Sequence, residues 1–362
     1  MCNQLNKYQI WLRWLRSRLF LMIAMSSFFG LTILGLTPLG LTPLGLISEC
    51  HSSDYLLFFE AQGIAGYSKQ EDKMIWYSKT SEDVMQKPSV GFDYIQKFSG
   101  ETSDFGSLAI QARLAYDDHD KNDDWDKNIE LQLYNAYFKY KYSGSDIWLG
   151  HNRPALGISS YFDTHGLLLT NLSMNGFGFD RDWGIGAYRE LDWGDVTLSL
   201  TTGSGMPIYF QSNYLASARV SKGSLNQDNY NIGLSFGHGD TLHTMGYELM
   251  MDKPEFFSMA AMDASYLWDN FEARLEFMGG RNRDKESYAV WGRFGINLMD
   301  EGRLKFEVQP IVSRTGSDDN YEISLGTSYV LTSDITLRTM YDYDHNMDDH
   351  KIIFQLYYYN KI

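Results

Sequence analysis

Cysteine is almost absent from this chain of 362 residues, since its two cysteines, Cys2 and Cys50, both lie near the amino terminus. If the segment that carries them is removed as a leader, the remaining chain has no thiol and no disulfide. Zinc fingers, iron–sulfur clusters and thiol catalysis are then excluded, and we predict no cofactor and no metal site. The nucleophile motif Gly-x-Ser-x-Gly is also missing, which argues against a hydrolase of that type.

Basic residues are too few for a protein that binds nucleic acid. The chain has 31 Lys and Arg against 46 Asp and Glu, a net charge of −15. Because binding duplex nucleic acid requires a basic surface to neutralise phosphates, we expect no nucleic-acid partner. Long apolar runs are missing after residue 48, and the mean hydropathy is −0.34. The body of the chain is therefore not a bundle of membrane-spanning helices.

The first 53 residues have the order of a secretory signal. Three arginines precede an uncharged run over residues 19–48, and small polar residues follow that run. A basic start, an apolar middle and small residues before a polar start are typical of a cleaved leader. We therefore predict a signal peptide over residues 1–53 and a mature domain over residues 54–362.

Two alternatives remain open for this segment. It could be a transmembrane anchor, although the glycines and prolines of residues 35–45 make a poor helix. It could also be a lipoprotein signal that ends at Cys50, although Glu49 stands where a lipobox has a small residue.

The body of the chain alternates apolar and polar residues with a period of two from about residue 88 onward. Leu304 and Phe306, for example, fall on one face, and Lys305 and Glu307 on the other. Many such segments run for about nine to thirteen residues, which suits a tilted strand crossing a bilayer, whereas sandwich strands are nearer five or six. Aromatic residues make up 15% of the chain. The sequence thus predicts an all-β fold, an antiparallel transmembrane β-barrel that is apolar outside and wet inside.

The number of strands should be even, because both termini of such a barrel lie on the same side of the membrane. Seventeen segments nevertheless qualify, and they begin near residues 58, 88, 105, 129, 146, 183, 195, 213, 229, 241, 256, 270, 286, 303, 320, 334 and 350. Counts from the two ends disagree between residues 203 and 256, so one candidate there is wrong. We predict about 16 strands, within a range of 14 to 18. Short connectors such as residues 143–145 are expected at one end, and longer acidic ones such as residues 117–127 at the other.

Two segments resemble elements of bacterial outer-membrane proteins. Residues 351–358 resemble the closing strand that the barrel-assembly machinery recognises, although this chain ends in Ile362 and not in an aromatic residue. Residues 146–157, Asp-Ile-Trp-Leu-Gly-His-Asn-Arg-Pro-Ala-Leu-Gly, are similar to a strand-then-loop element of trimeric and phosphate-selective-type porins. That resemblance implies a long loop over residues 152–182 that folds inward, and a porin-like channel for passive diffusion of small hydrophilic solutes or ions.

Charged residues on the polar faces are expected to line the lumen, because Arg or Lys facing lipid near the midplane costs about 2–4 kcal/mol. Charges that face each other across a constriction select permeants by charge and width. The loop residues predicted at this constriction are Arg153, Asp163, Asp180, Arg181 and Asp182. The wall residues predicted opposite them are Arg113, Arg219, Arg274, Arg293 and Arg338. The alternative for each of them is an ordinary solvated side chain in a wet lumen.

The expected location is the outer membrane of a Gram-negative bacterium, with membrane lipid and lipopolysaccharide as neighbours. The barrel-assembly machinery and small solutes are the other expected partners, and a homotrimer remains open. Two other functions also remain open: an export, assembly or adhesion barrel without general permeability and, less favoured, a barrel hydrolase.

The mature protein should begin between about residues 49 and 55, because the order of basic, apolar and small residues ends there. Amino-terminal sequencing of protein purified from outer membranes measures this directly. Protein that still contains residues 19–46 would contradict the signal peptide and would favour the anchor.

Overall fold

The computed structural model describes five parts of the chain, residues 55–80, 86–100, 103–116, 128–225 and 227–362. The predicted signal peptide and the acidic connector over residues 117–127 lie outside the described residues. Among the residues that are described, no helix is both long and apolar enough to cross a bilayer.

Sixteen long strands form one antiparallel sheet, and we number them β1 to β16 in chain order. The first eight are β1 Tyr55–Ser68, β2 Ser89–Ser99, β3 Asp104–Tyr116, β4 Ile129–Tyr142, β5 Ser145–Asn152, β6 Asp182–Leu191, β7 Gly194–Thr201 and β8 Tyr214–Lys222. The last eight are β9 Tyr230–Thr241, β10 Glu255–Trp268, β11 Phe271–Asn282, β12 Lys285–Leu298, β13 Leu304–Thr315, β14 Asp318–Val330, β15 Ile335–Asp344 and β16 Asp349–Lys361. A short strand, Lys73–Ile75, adds to the end of β1.

The sheet closes on itself because its first and last strands pair. The register of β1 and β16 runs from Phe58 opposite Lys361 to Ser68 opposite Lys351. β1 also pairs with β2, and each later strand pairs with the next. Every strand therefore has a neighbour on both sides, as a sheet surrounded by lipid requires. The predicted antiparallel barrel of about 16 strands is confirmed. We call the rim that holds Tyr55 and Ile362 the terminal end, and the opposite rim the loop end.

The seventeenth candidate strand, near residue 241, is wrong. Residues 242–254 instead connect β9 to β10 and contain a small hairpin that pairs Thr244–Met245 with Glu248–Leu249. Gly246 turns the chain there with a φ of 56°, a conformation that glycine adopts without steric cost. The error lies inside the interval in which the two counts disagreed.

Connector length alternates as predicted only in the first part of the barrel. After β11 and β13, the loop-end connectors are two-residue turns, Arg283–Asp284 and Gly316–Ser317. Arg283 and Asp284 both have positive φ, 52° and 60°, which is the geometry of a type I′ hairpin turn. Such a turn usually contains Asn-Gly or Asp-Gly, so the Arg-Asp sequence at this position does not predict it.

Side chains alternate between the outer surface and the interior, as the period of two predicts. In β14, Ile323 and Leu325 are 41% and 49% exposed on the outer surface, whereas Glu322 and Ser324 are 7% and 1% exposed inside. The same alternation places Leu234, Phe277 and other large apolar side chains outside. The outer surface is therefore apolar and suited to lipid.

Cysteine substitutions should separate the two faces of the wall. Leu325→Cys should react with a lipid-soluble thiol reagent, and Lys305→Cys with a small charged one. The two side chains project to opposite sides of the sheet, and that of Lys305 is 24% exposed inside the barrel. Ser324→Cys should react slowly with both, because its side chain is packed. Mass spectrometry of the labelled barrel measures this, and the mature chain without substitutions is the control. Equal labelling of Leu325→Cys and Lys305→Cys by both reagents would contradict this orientation.

Candidate functional site

The long connector between β5 and β6, residues 153–181, lies inside the barrel, and we call it the inner loop. The backbone N–H of Ile158 donates to Glu276 Oε1 in β11 at 2.9 Å. On the next strand, Trp291 Nε1 donates to the backbone carbonyl of Thr170 at 3.1 Å. Since both wall side chains point inward, the inner loop crosses from its own strands to the far part of the wall.

Apolar side chains hold the inner loop against the wall. One buried cluster joins the loop to β8 and β10–β13, and its members are Leu156, Ile158, Leu172, Phe177, Leu215, Phe257, Met259, Ala261, Met278, Ala289, Trp291 and Ile311. A second cluster joins the loop to β1, β15 and β16 through Ile64, Leu168, Leu169, Met340 and Ile353. Burying one large apolar side chain contributes about 1.5–3 kcal/mol, so these clusters fix the loop in one position.

Two of the predicted wall arginines bind the backbone of the inner loop. Arg293 Nη2 donates to the carbonyl of Thr170 at 2.9 Å, and Arg338 Nη1 donates to the carbonyl of Gly166 at 2.7 Å. Arg293 is completely buried. These side chains donate to buried backbone carbonyls of the inner loop, and the Thr170 carbonyl accepts from both Arg293 and Trp291.

Two further wall arginines stack on aromatic rings of the inner loop. Arg219 lies 4.4 Å from the centre of the Tyr161 ring, and Arg274 lies 4.1 Å from that of Phe162. Arg219 also pairs with Asp263 at 2.7 Å. We expected a row of arginines opposite loop carboxylates, but these four instead contact carbonyls and ring faces of the loop. The difference arises because the loop packs directly on the wall at these positions.

The fifth wall arginine, Arg113, belongs to a buried polar group that contains His165 of the inner loop. Arg113 pairs with Glu60, and His165 Nε2 lies 2.8 Å from Glu60 Oε2. Arg113 Nη2 also lies 2.8 Å from His165 Nδ1. Burial, and then the charge of Arg113, lowers the pKa of His165. The imidazole is therefore neutral at pH 7 and joins the two charged groups by hydrogen bonds.

Four predicted loop residues come together where the inner loop leaves and rejoins the wall, and we call Arg153, Asp163, Asp180 and Arg181 the neck cluster. Arg181 lies 3.3 Å from Asp163 and 3.0 Å from Asp180, and Arg153 also pairs with Asp163. Burial acts to raise the pKa of Asp163, but Arg153 and Arg181 outweigh it and hold that pKa well below its usual range. The neck cluster therefore carries two positive and two negative charges at neutral pH.

The fifth predicted loop residue, Asp182, does not join the neck cluster. Its carboxylate accepts hydrogen bonds from the backbone N–H groups of Trp183, Gly203 and Gly205 at 2.9, 2.6 and 3.1 Å. The hydroxyl of Thr202 donates to it at 2.8 Å. Asp182 is completely buried and faces the connector after β7, so it holds that connector and has no access to the lumen.

The neck cluster lies between two cavities. Asp180 and Arg181 line a cavity of about 440 Å³ at the loop end, which we call the loop-end cavity. Arg153 and Asp163 line a cavity of about 650 Å³ that opens toward the terminal end, which we call the terminal-end cavity. One set of ion-paired side chains therefore borders both spaces.

Two buried members of this region, Glu60 and Tyr134, were missing from the sequence prediction. Tyr134 lies under Arg181, which is 4.3 Å from the centre of its ring. It is the extra residue of a bulge in β4, where Gln111 faces Asn135 and Ala112 faces Leu133. The break in alternation at Tyr134 was the available signal. For Glu60, the signal was a carboxylate between the apolar neighbours Phe59 and Ala61.

Within the described residues, no group of three or more His, Cys, Asp or Glu side chains is arranged to hold a metal ion.

The closed barrel of 16 strands, its apolar outer surface and its charged interior define the fold of a porin-like transmembrane β-barrel. No protein-family model matches the chain, and no curated protein sequence matches it. Solved structures do match its fold.

One similar structure is OmpF of Salmonella typhi in a complex with daunomycin, with 11% identity and a TM-score of 0.61 over 85% of this chain and 97% of that one. Another is the anion-selective porin from Comamonas acidovorans, with 10% identity and a TM-score of 0.59 over 86% of this chain and 100% of that one. A third is in-vitro folded OmpT of Vibrio cholerae in its trimer form, with 11% identity and a TM-score of 0.57 over 85% and 100%. The likeness to them is one of fold.

Asp182→Ala should destabilise the barrel. The substitution leaves several buried donors without an acceptor, and each such donor costs about 1–3 kcal/mol. We expect the free energy of unfolding to fall by about 2–4 kcal/mol, measured by urea titration of the refolded barrel. Asp319→Asn is the control, because the pair of Asp319 with Arg314 is exposed and contributes roughly 0–1 kcal/mol. Equal stability of the two variants would contradict a supporting role for Asp182.

Proposed function

We propose that this barrel is a porin-like channel for passive diffusion of small hydrophilic solutes or ions across the outer membrane, without enzymatic activity. The observation that carries the proposal is the position of the neck cluster between the two cavities. A solute that moves from one cavity to the other along this side of the inner loop passes these four side chains. The neck cluster is therefore the proposed constriction.

The charges of the neck cluster would act on a permeant in opposite directions. Arg153 and Arg181 attract anions, and Asp163 and Asp180 attract cations. Because all four are held in ion pairs, they form a fixed transverse field that selects by width and charge. Of the two neck-cluster carboxylates, Asp163 is the more accessible, with 43% of its side chain exposed against 11% for Asp180.

The proposed partners follow from the same placement. The apolar outer surface would contact membrane lipid and, toward the cell surface, lipopolysaccharide. The barrel-assembly machinery would recognise β16, the strand that closes the barrel. A homotrimer is part of the proposal, and the trimer form of OmpT supports it as a precedent on this fold.

Neutralising one sign of charge in the neck cluster should change ion selectivity. Asp163→Asn should shift selectivity toward anions, because Arg153 and Arg181 lose their shared partner. Arg153→Gln should shift it toward cations. Reversal potentials in a salt gradient, with single channels in planar bilayers, measure both changes.

Asp146→Asn is the matched control, because Asp146 lines the wider terminal-end cavity and pairs with Lys139 at 3.0 Å. It should shift the reversal potential less than Asp163→Asn does. If wild-type barrel conducts nothing, or if the neck substitutions change neither conductance nor selectivity, the proposed constriction is wrong. Point substitutions are sharper here than deletion of residues 158–175, which would remove much of the buried apolar cluster.

A further inference from the structure

The loop-end cavity is lined by methionine from four separate connectors. Met174 comes from the inner loop, Met206 from the connector after β7, Met245 from the hairpin after β9, and Met347 from the connector after β15. Thioether side chains are flexible and polarisable, and they make favourable contacts with aromatic rings. This lining therefore suits an apolar body, and particularly an aromatic one, of variable shape.

A cation that forms no ion pair with any described carboxylate borders the same cavity. Arg283 Nη1 donates to His243 Nε2 at 2.6 Å, and both residues line the cavity. Among the described residues, Arg283 forms no ion pair within 4.0 Å, and the carboxylate of Glu255 acts on its charge only from farther away. The other two cations of this lining differ, because Arg181 pairs with Asp180 at 3.0 Å and Lys79 lies 3.7 Å from Glu322.

The partner of Arg283 does not add charge of its own. Burial, and then the nearby Arg283, lowers the pKa of His243, so its imidazole is neutral at pH 7. It accepts one N–H of the guanidinium, and no other hydrogen-bond acceptor of this side chain lies among the described residues. Arg283 is half-buried, and a partly desolvated guanidinium is a strong donor to a carboxylate, which it can bind through two parallel hydrogen bonds.

We propose that the loop-end cavity is an entry subsite for small carboxylates with an aromatic or branched apolar body. The carboxylate pairs with Arg283, and the body lies among Met174, Met206, Met245 and Met347. The volume of about 440 Å³ is within the range of roughly 300–1,000 Å³ for small-molecule sites. This inference deepens the proposed channel function by naming a class of permeant.

Equilibrium binding of 4-phenylbutyrate to the barrel refolded in a non-ionic detergent tests the subsite by isothermal titration calorimetry. Butyrate, which lacks the ring, and 4-phenylbutanol, which lacks the charge, should both bind more weakly. Arg283→Gln should weaken binding of 4-phenylbutyrate about tenfold, which equals about 1.4 kcal/mol. Met206→Gln should weaken it about threefold, within the range of sulfur–aromatic contacts.

Arg314→Gln is the matched control, because Arg314 is an exposed loop-end arginine paired with Asp319 outside the lining of this cavity. It should bind 4-phenylbutyrate as wild type does. Heat-modifiable migration in gels verifies that each variant is folded, and Met206→Gln gives an independent test if Arg283→Gln does not fold. Absent binding by wild type, or equal affinity of wild type, Arg283→Gln and Met206→Gln, would overturn the subsite. Equal binding of butyrate and 4-phenylbutyrate would do so as well.

Calorimetry measures binding without ion flow, so it tests the subsite independently of the proposed channel function. A barrel that binds 4-phenylbutyrate without conducting would contradict the channel and leave the subsite in place. A barrel that conducts without binding it would contradict the subsite alone. In a conducting barrel, 4-phenylbutyrate should interrupt single-channel current when added at the loop end and less when added at the terminal end.

Discussion

The pairing of β1 with β16 is the interaction on which the rest of the structure depends. It removes both edges of the sheet, and a sheet in lipid has no water to satisfy an unpaired edge. It also fixes which face of each strand is inside, because a shift of one residue would turn every side chain over. In the observed register, Glu60 lies opposite Tyr359 and Gln62 opposite Tyr357, so the polar residues of β1 point into the barrel.

Closure creates an interior that must be either filled by side chains or hydrated. In this chain one part of the interior is filled and another part is open. On the side of β10 to β13, the inner loop and the wall form a continuous apolar cluster. On the side of β4 to β9, the wall remains polar and borders the terminal-end cavity, whose lining includes Lys139, Glu190 and Asp195. The inner loop is therefore both a packing element for one part of the wall and a boundary of the open space beside the other.

The sequence predicted the parts of this fold that depend on local pattern. A period of two holds along the strands, apart from the bulge at Tyr134 in β4, because successive side chains of a strand point to opposite faces of the sheet. The number of candidate strands exceeded the observed number by one. The surplus candidate after Thr241 is wrong because the chain turns at Gly246 and forms a small hairpin that is not part of the wall.

What local pattern could not predict is which inward side chains meet across the interior. Asp180 and Asp182 are two residues apart, so the period of two predicts the same face for both. Asp180 nevertheless pairs with Arg181, whereas Asp182 accepts hydrogen bonds from backbone N–H groups after β7. Likewise, the charge of Arg293 indicated an inward position, but only the path of the inner loop brings the Thr170 carbonyl to it. These contacts join residues that are far apart in sequence, so no local rule contains them.

The neck cluster follows from topology once the inner loop is in place. β5 and β6 are neighbours, and Asn152 lies opposite Asp182 in their register. The residues just outside that pair, Arg153 and Arg181, are therefore brought together, and two adjacent cations inside a barrel require a counter-charge. Asp163 supplies this counter-charge from within the inner loop. Its ion pairs with Arg153 and Arg181 hold that part of the loop beside the ends of β5 and β6. The same ion pairs thus fix the loop and place charge of both signs where the two cavities approach each other. This placement supports the neck cluster as the constriction of the proposed channel.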